Sequence, residues 1–132
     1  MKQKENILED IKSILSSRDD TIFVFLFGSY LEVKNPNDID VGIFINEEKI
    51  SEQDSFDYAL RLSVELSYKF SKEIDVIVMN YAPLGVVKNI IQGKLLFSKN
   101  DTLKDEFIER VTREYMDYYY YSKEFLMEVL SD

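Results

Sequence analysis

The sequence predicts an α/β (α+β) domain, a small mixed sheet of three to four strands flanked by helices and closed by one long C-terminal helix. Three observations predict it. Apolar residues recur at helical spacing at both ends of the chain. Short β-branched and aromatic runs, too short for typical helices, interrupt the middle. The segments alternate in the order α-β-β-α-β-α-(β)-α. With 132 residues, 45% hydrophobic and 31% charged, the chain has room for one core and no second full domain, since domains commonly run to about 100–150 residues. The expected organisation is a single domain over 1–132, with the sheet core in 20–98 and the last helix in 101–131.

Each element has its own signal. Ile7, Leu8, Ile11, Ile14 and Leu15 mark residues 3–17 as an amphipathic helix. Thr21 to Phe27 reads as a buried strand ended by Gly28, and Ile39 to Ile45 as a second strand. Ser51 with Asp54 three residues later is a capping box that opens a helix reaching about Lys72. Ile74 to Met79 is the third strand. Pro83 suits the first turn of a short helix that Gly93 ends, Leu95 to Phe97 forms a short edge strand, and Asp101 caps a helix reaching about Leu130.

On that last helix Phe107, Val111, Tyr115, Tyr118, Phe125 and Val129 form a stripe at helical spacing. Its first half is expected to pack on the sheet. The four adjacent rings of Tyr118 to Tyr121 point around nearly the whole circumference, so some of them must face away from the core. They read either as a wide core stripe or as a partner interface, and for this second half the interface is the expectation.

Composition narrows the chemistry. A net charge of −9 repels the polyanionic surface of nucleic acid, making it an unlikely partner. A nucleoside triphosphate escapes that argument, because a divalent cation bridges carboxylates to phosphates. With no cysteine and no histidine, disulfides, thiolate zinc sites, cysteine nucleophiles and imidazole bases are excluded, leaving mainly carboxylates and hydroxyls. The polar-interrupted start MKQKENILEDIKSIL is neither a signal peptide nor a membrane span, so no membrane partner and a cytoplasmic location are expected.

The informative segment runs from Phe27 to Asp40. A strand ends in Gly28-Ser29, and Asp38 follows Gly28 by ten positions to open the next strand as Asp38-Ile39-Asp40. Gly28 permits a sharp turn and close approach of a phosphate to main-chain N–H groups, and the Ser29 hydroxyl can donate to a phosphate oxygen. Strand alternation puts Asp38 and Asp40 on one face. Unpaired, their carboxylates repel and raise one another's pKa, so the arrangement calls for a cation, and oxygen-only ligands select Mg²⁺, or Mn²⁺, over softer metals. Asp75 interrupts the apolar stretch of the third strand, and pairing beside Asp40 would explain it; otherwise it is a strand-edge residue paired with Lys72 or capping a turn. Three carboxylates with two Mg²⁺ ions match the two-metal template for in-line phosphoryl transfer. In that template Asp75 also takes the proton.

These residues resemble the polymerase-β-like nucleotidyltransferase superfamily, whose signature is a glycine-serine turn, an aspartate-x-aspartate strand roughly ten residues later and a third acid on a later strand. Gly28, Ser29, Asp38, Asp40 and Asp75 match position by position. The size and the long last helix are similar to minimal nucleotidyltransferases encoded beside HEPN proteins, the antitoxins of MntA type. That resemblance implies a nucleotidyltransferase fold and transfer of AMP from ATP to a tyrosine hydroxyl of a HEPN-type toxin, which silences the toxin. The alternatives are adenylylation of an aminoglycoside-like small molecule, and a binding-only antitoxin that occludes its partner. Many family members carry a basic residue soon after the glycine-serine pair, whereas here Tyr30 and Leu31 follow; Lys34 and Arg61 are the candidates for the terminal phosphates.

Overall fold

The computed structural model describes residues 2–28 and 38–131, and in the first helix the side chains from residue 7 onward. Along the chain run α1 (Lys2–Ser16), β1 (Thr21–Phe27), β2 (Asp38–Ile45), α2 (Glu52–Phe70), β3 (Glu73–Val78), a 3₁₀ turn (Met79–Tyr81), α3 (Leu84–Ile91), β4 (Lys94–Ser98) and α4 (Asp101–Ser131). The four strands form one sheet in the order β3-β2-β1-β4. β1 pairs antiparallel with β2 and β4, while β2 and β3 are parallel, so the sheet is mixed as expected.

Alternation along the strands divides the interior into two layers. On one face Val24, Leu26, Ile39, Val41, Ile43, Ile74 and Val76 pack against α1 through Ile11 and Leu15 and against α2 through Leu62 and Leu66. On the other, Phe23, Phe25 and Phe44 meet Val87 and Ile90 of α3 and Phe107 and Val111 of α4. The Phe23 and Phe44 rings stack at 4.6 Å, and Phe107 meets Phe44 edge-on at 4.9 Å. Gly42 sets how closely α3 lies on this face: a Cβ there would strike Ile90. The second layer therefore covers the Gly42 and Phe44 level and leaves the start of β2 outside the packed core.

Several boundaries differ from expectation by a residue or two, those of α2, β3 and α4 for local reasons. Helix α2 begins as predicted, with the Asp54 N–H donating to Ser51 Oγ at 3.3 Å. It stops two residues early because Ser71 adopts the left-handed conformation at φ 53°. Strand β3 starts one residue earlier and ends before Met79. Asn80 takes the Ile45 N–H on Oδ1 at 2.8 Å and donates Nδ2 to the Ile45 carbonyl at 2.9 Å, which turns the chain out of the sheet. The cap of α4 is Asn100 rather than Asp101, since Asn100 Oδ1 accepts the Leu103 N–H at 3.0 Å. Asp101 instead places its charge in the first turn, where the helix dipole favours it.

Strand β3 is an edge, and the fold caps it. Ser63 Oγ accepts the Val76 N–H at 2.8 Å. Ser67 Oγ accepts the Ile74 N–H at 2.8 Å and donates to the Ile74 carbonyl at 3.2 Å. Two serines one helical turn apart on α2 thus occupy edge groups that would otherwise template a further strand.

Helix α4 packs only over its first half. Phe107 and Val111 are buried and Tyr115 half-buried, whereas every residue from Met116 to Ser131 is exposed. The reading of Tyr118 to Tyr121 as a core stripe is therefore corrected: the four are 54–68% exposed. No helix of the described residues is long and apolar enough to cross a membrane.

Candidate active site

The sheet brings two acidic pairs together. In the parallel register Asp38 stands opposite Glu73 and Asp40 opposite Asp75. All four lie on the sheet face carrying Phe44 and Ile77, beyond the part that α3 and α4 cover. Asp38, Glu73 and Asp75 are exposed and Asp40 is half-buried. Sequence reasoning named Asp38, Asp40 and Asp75 and missed Glu73. Its signal was present: Glu73-x-Asp75 repeats the two-residue spacing of Asp38-x-Asp40, and so the same strand face.

Electrostatics follow from this crowding. Burial first, then the charges of Asp75 and Asp38, push the Asp40 carboxyl above its usual range. The charge of Asp38 first, then that of Asp75, raises Glu73. Such a cluster gains from a hard divalent cation among its oxygens. Among the described residues no group of three His, Cys, Asp or Glu side chains converges closely enough to hold a metal ion as it stands. The register nevertheless supplies Asp40 and Asp75 as neighbours with Asp38 beside them, an all-oxygen donor set that fits Mg²⁺ or Mn²⁺.

Gly28 has a reason to be glycine that the sequence did not show. It sits in the left-handed region at φ 81°, and a Cβ there would overlap Asp40 Oδ2. Phe27 pairs with Asp40 across the β1–β2 ladder, so the chain turns directly over the carboxylate. Gly28 therefore seats Asp40 as well as permitting the turn. Ser29 and Lys34 lie outside the described residues. Arg61 is exposed on α2 and paired with its helix neighbour Asp57 at 2.9 Å, and nothing brings it to the acids.

A cleft of about 550 Å³ adjoins the acids, between α2 and β3; its walls include Phe56, Ala59, Leu60, Asp75, Val76 and Pro83.

A family model described as polymerase beta, nucleotidyltransferase, matches residues 9–102. No curated protein matches the chain. Among solved structures, the chain is similar to one in the complex of tri-AMPylated Shewanella oneidensis HEPN toxin with MNT antitoxin, at TM-score 0.74 and 15% identity over 96% of this chain and 98% of that one. It is also similar to a chain of the toxin–antitoxin MntA–HepT, at TM-score 0.71 and 14% identity over 96% and 98%. A third likeness, to a toxin–antitoxin with AMP-PNP, has TM-score 0.68 and 16% identity over 95% and 98%. At these identities the likenesses show a shared fold.

Proposed function

The chain belongs to the polymerase beta nucleotidyltransferase family, and from that premise we propose that it transfers AMP from ATP to a tyrosine hydroxyl of a HEPN-type toxin and so acts as its antitoxin. The observation that carries this reading is the register of Asp40 opposite Asp75, with Asp38 one alternation away on the same face. The solved complexes support it: one holds a tri-AMPylated HEPN toxin with an MNT antitoxin, and another holds AMP-PNP.

Mg²⁺, two ions in the two-metal scheme, would be held by Asp38, Asp40 and Asp75, and would supply charge neutralisation of the triphosphate and a lowered hydroxyl pKa. The chain's own residues do the rest. Gly28 keeps the Asp40 carboxylate in place, and Ser29, the next residue in the sequence, donates to a phosphate oxygen. Asp75 accepts the proton of the acceptor hydroxyl. The phenolic oxygen then forms a bond to the α-phosphorus as the bond from that phosphorus to the bridging oxygen breaks. Pyrophosphate leaves with the bonding electrons, and the product is an AMP ester of tyrosine.

The test is to incubate the protein with ATP, Mg²⁺ and its HEPN partner and to weigh the partner by intact mass spectrometry. A gain of whole AMP units, absent with Asp38→Ala/Asp40→Ala, is the expected result. A stable complex with no mass gain would overturn transfer and favour the second reading, occlusion without chemistry, which the bare second half of α4 supports as a docking surface.

A further inference from the structure

Asp75 stands on one rim of the α2–β3 cleft, and nothing in the transfer chemistry above uses the rest of it. Four large apolar residues on α2 at intervals of four, Phe56, Leu60, Val64 and Tyr68, are 53–89% exposed. They form one stripe along α2, because residues four apart share a helix face. Such a stripe costs free energy in water and marks a binding surface. Phe56 and Leu60 line the cleft directly, opposite Val76 and Val78.

Three features identify the occupant. The charged side chains among the described residues lining the cleft, Glu52 and Asp75, are both acidic, so a nucleic acid strand is repelled. The β3 edge groups at Ile74 and Val76 are already taken by Ser67 and Ser63, so an extended peptide cannot add there as a strand and must dock through its side chains. Finally, the cleft is continuous with the acid cluster through Asp75, the group that receives the acceptor proton in the transfer reaction.

We propose that this cleft is the acceptor-docking site: an apolar segment of the protein acceptor lies against Phe56 and Leu60 and delivers its hydroxyl to Asp75. The inference rests on the protein-nucleotidyltransferase reading. It assigns acceptor recognition to α2, on the β3 side of the site, and leaves the Gly28 side to the nucleotide.

The test combines Phe56→Glu with Leu60→Glu, both at exposed positions, and uses Glu65→Ala, exposed on the same helix but outside both the stripe and the cleft, as the control. With a HEPN toxin as acceptor, the double variant is expected to raise the acceptor KM by about tenfold or more. Its kcat and its Mg²⁺-dependent ATP binding should be retained, and the control should leave KM unchanged. An unchanged KM overturns the proposal, and loss of ATP binding in the double variant would place the nucleotide in the cleft instead. If the native protein transfers AMP to no protein, the transfer reading fails and photo-crosslinking decides the cleft. With p-benzoylphenylalanine in place of Phe56, a crosslink to a hydroxyl-bearing segment of the same toxin supports docking here, and no crosslink overturns it.

Discussion

Asp40 of β2 and Asp75 of β3 are register partners on a parallel strand pair, and the carboxylate of Asp40 also fills the space that a Cβ on Gly28 would need. Asp40 thus joins three segments distant in sequence: the end of β1, the start of β2 and the start of β3. The consequences can be measured residue by residue.

Gly28→Ala should damage both stability and activity. Alanine meets the left-handed φ and the Asp40 carboxylate at once, and an L side chain held in that region costs about 1–2 kcal/mol. Thermal denaturation should show a loss of at least that size. Transfer should fall by about 10²-fold, since a misplaced catalytic group costs that much. Native stability in the variant would show that the turn relaxes away from Asp40.

Asp40→Asn should raise the melting temperature of the metal-free protein at neutral pH. The folded state holds the Asp40 carboxyl above its unfolded pKa. Its contribution is therefore fully present below the unfolded value, about 3.9, and is lost as pH rises through the folded one. The gain from asparagine should vanish once the pH drops below about 4. Added Mg²⁺ should stabilise the native protein and leave the variant unmoved; scanning calorimetry across pH, with and without metal, reads both effects.

Asp75→Asn separates proton acceptance from nucleotide binding. ATP binding in Mg²⁺ should weaken little, while single-turnover transfer falls by about 10²–10⁴-fold, the usual contribution of a general base. Equal losses in binding and rate would make Asp75 a nucleotide-binding ligand alone.

Ser63→Ala and Ser67→Ala should each destabilise the domain by about 1–3 kcal/mol, because each leaves a β3 backbone N–H without its partner. The doubly substituted protein exposes a strand edge and should associate at high concentration, which sedimentation velocity would detect. A stable monomer would mean that water replaces the hydroxyls.

Tyr119→Glu with Tyr120→Glu should leave the fold intact, since the rings are 54% and 59% exposed and exposed substitutions usually stay within about 0.5 kcal/mol. Partner binding should weaken by about tenfold or more if the second half of α4 is a docking surface. Calorimetric titration of a HEPN toxin checks the binding, and a lower melting temperature with unchanged affinity would refute it.

What the sequence determined by itself is local. Local patterns placed the strands and the α-helices to within a few residues, because the short apolar run of Thr21–Phe27 and the fourfold spacing of Ile7, Ile11 and Leu15 are properties of neighbouring residues. The same parity put Asp38 and Asp40 on one face before any fold was known. The tertiary structure decided the rest. That β3 lies parallel beside β2, with Asp75 opposite Asp40 and Glu73 opposite Asp38, depends on Ile39, Val41, Ile74 and Val76 sharing one layer under α2. That Gly28 carries no Cβ because a carboxylate occupies the space depends on the β1–β2 ladder. That the second half of α4 stands bare depends on the core meeting the helix only through its first half, at Phe107 and Val111. Periodicity is written within a segment, whereas register and burial are set between segments by which pairing fills the core, and no single segment encodes that choice.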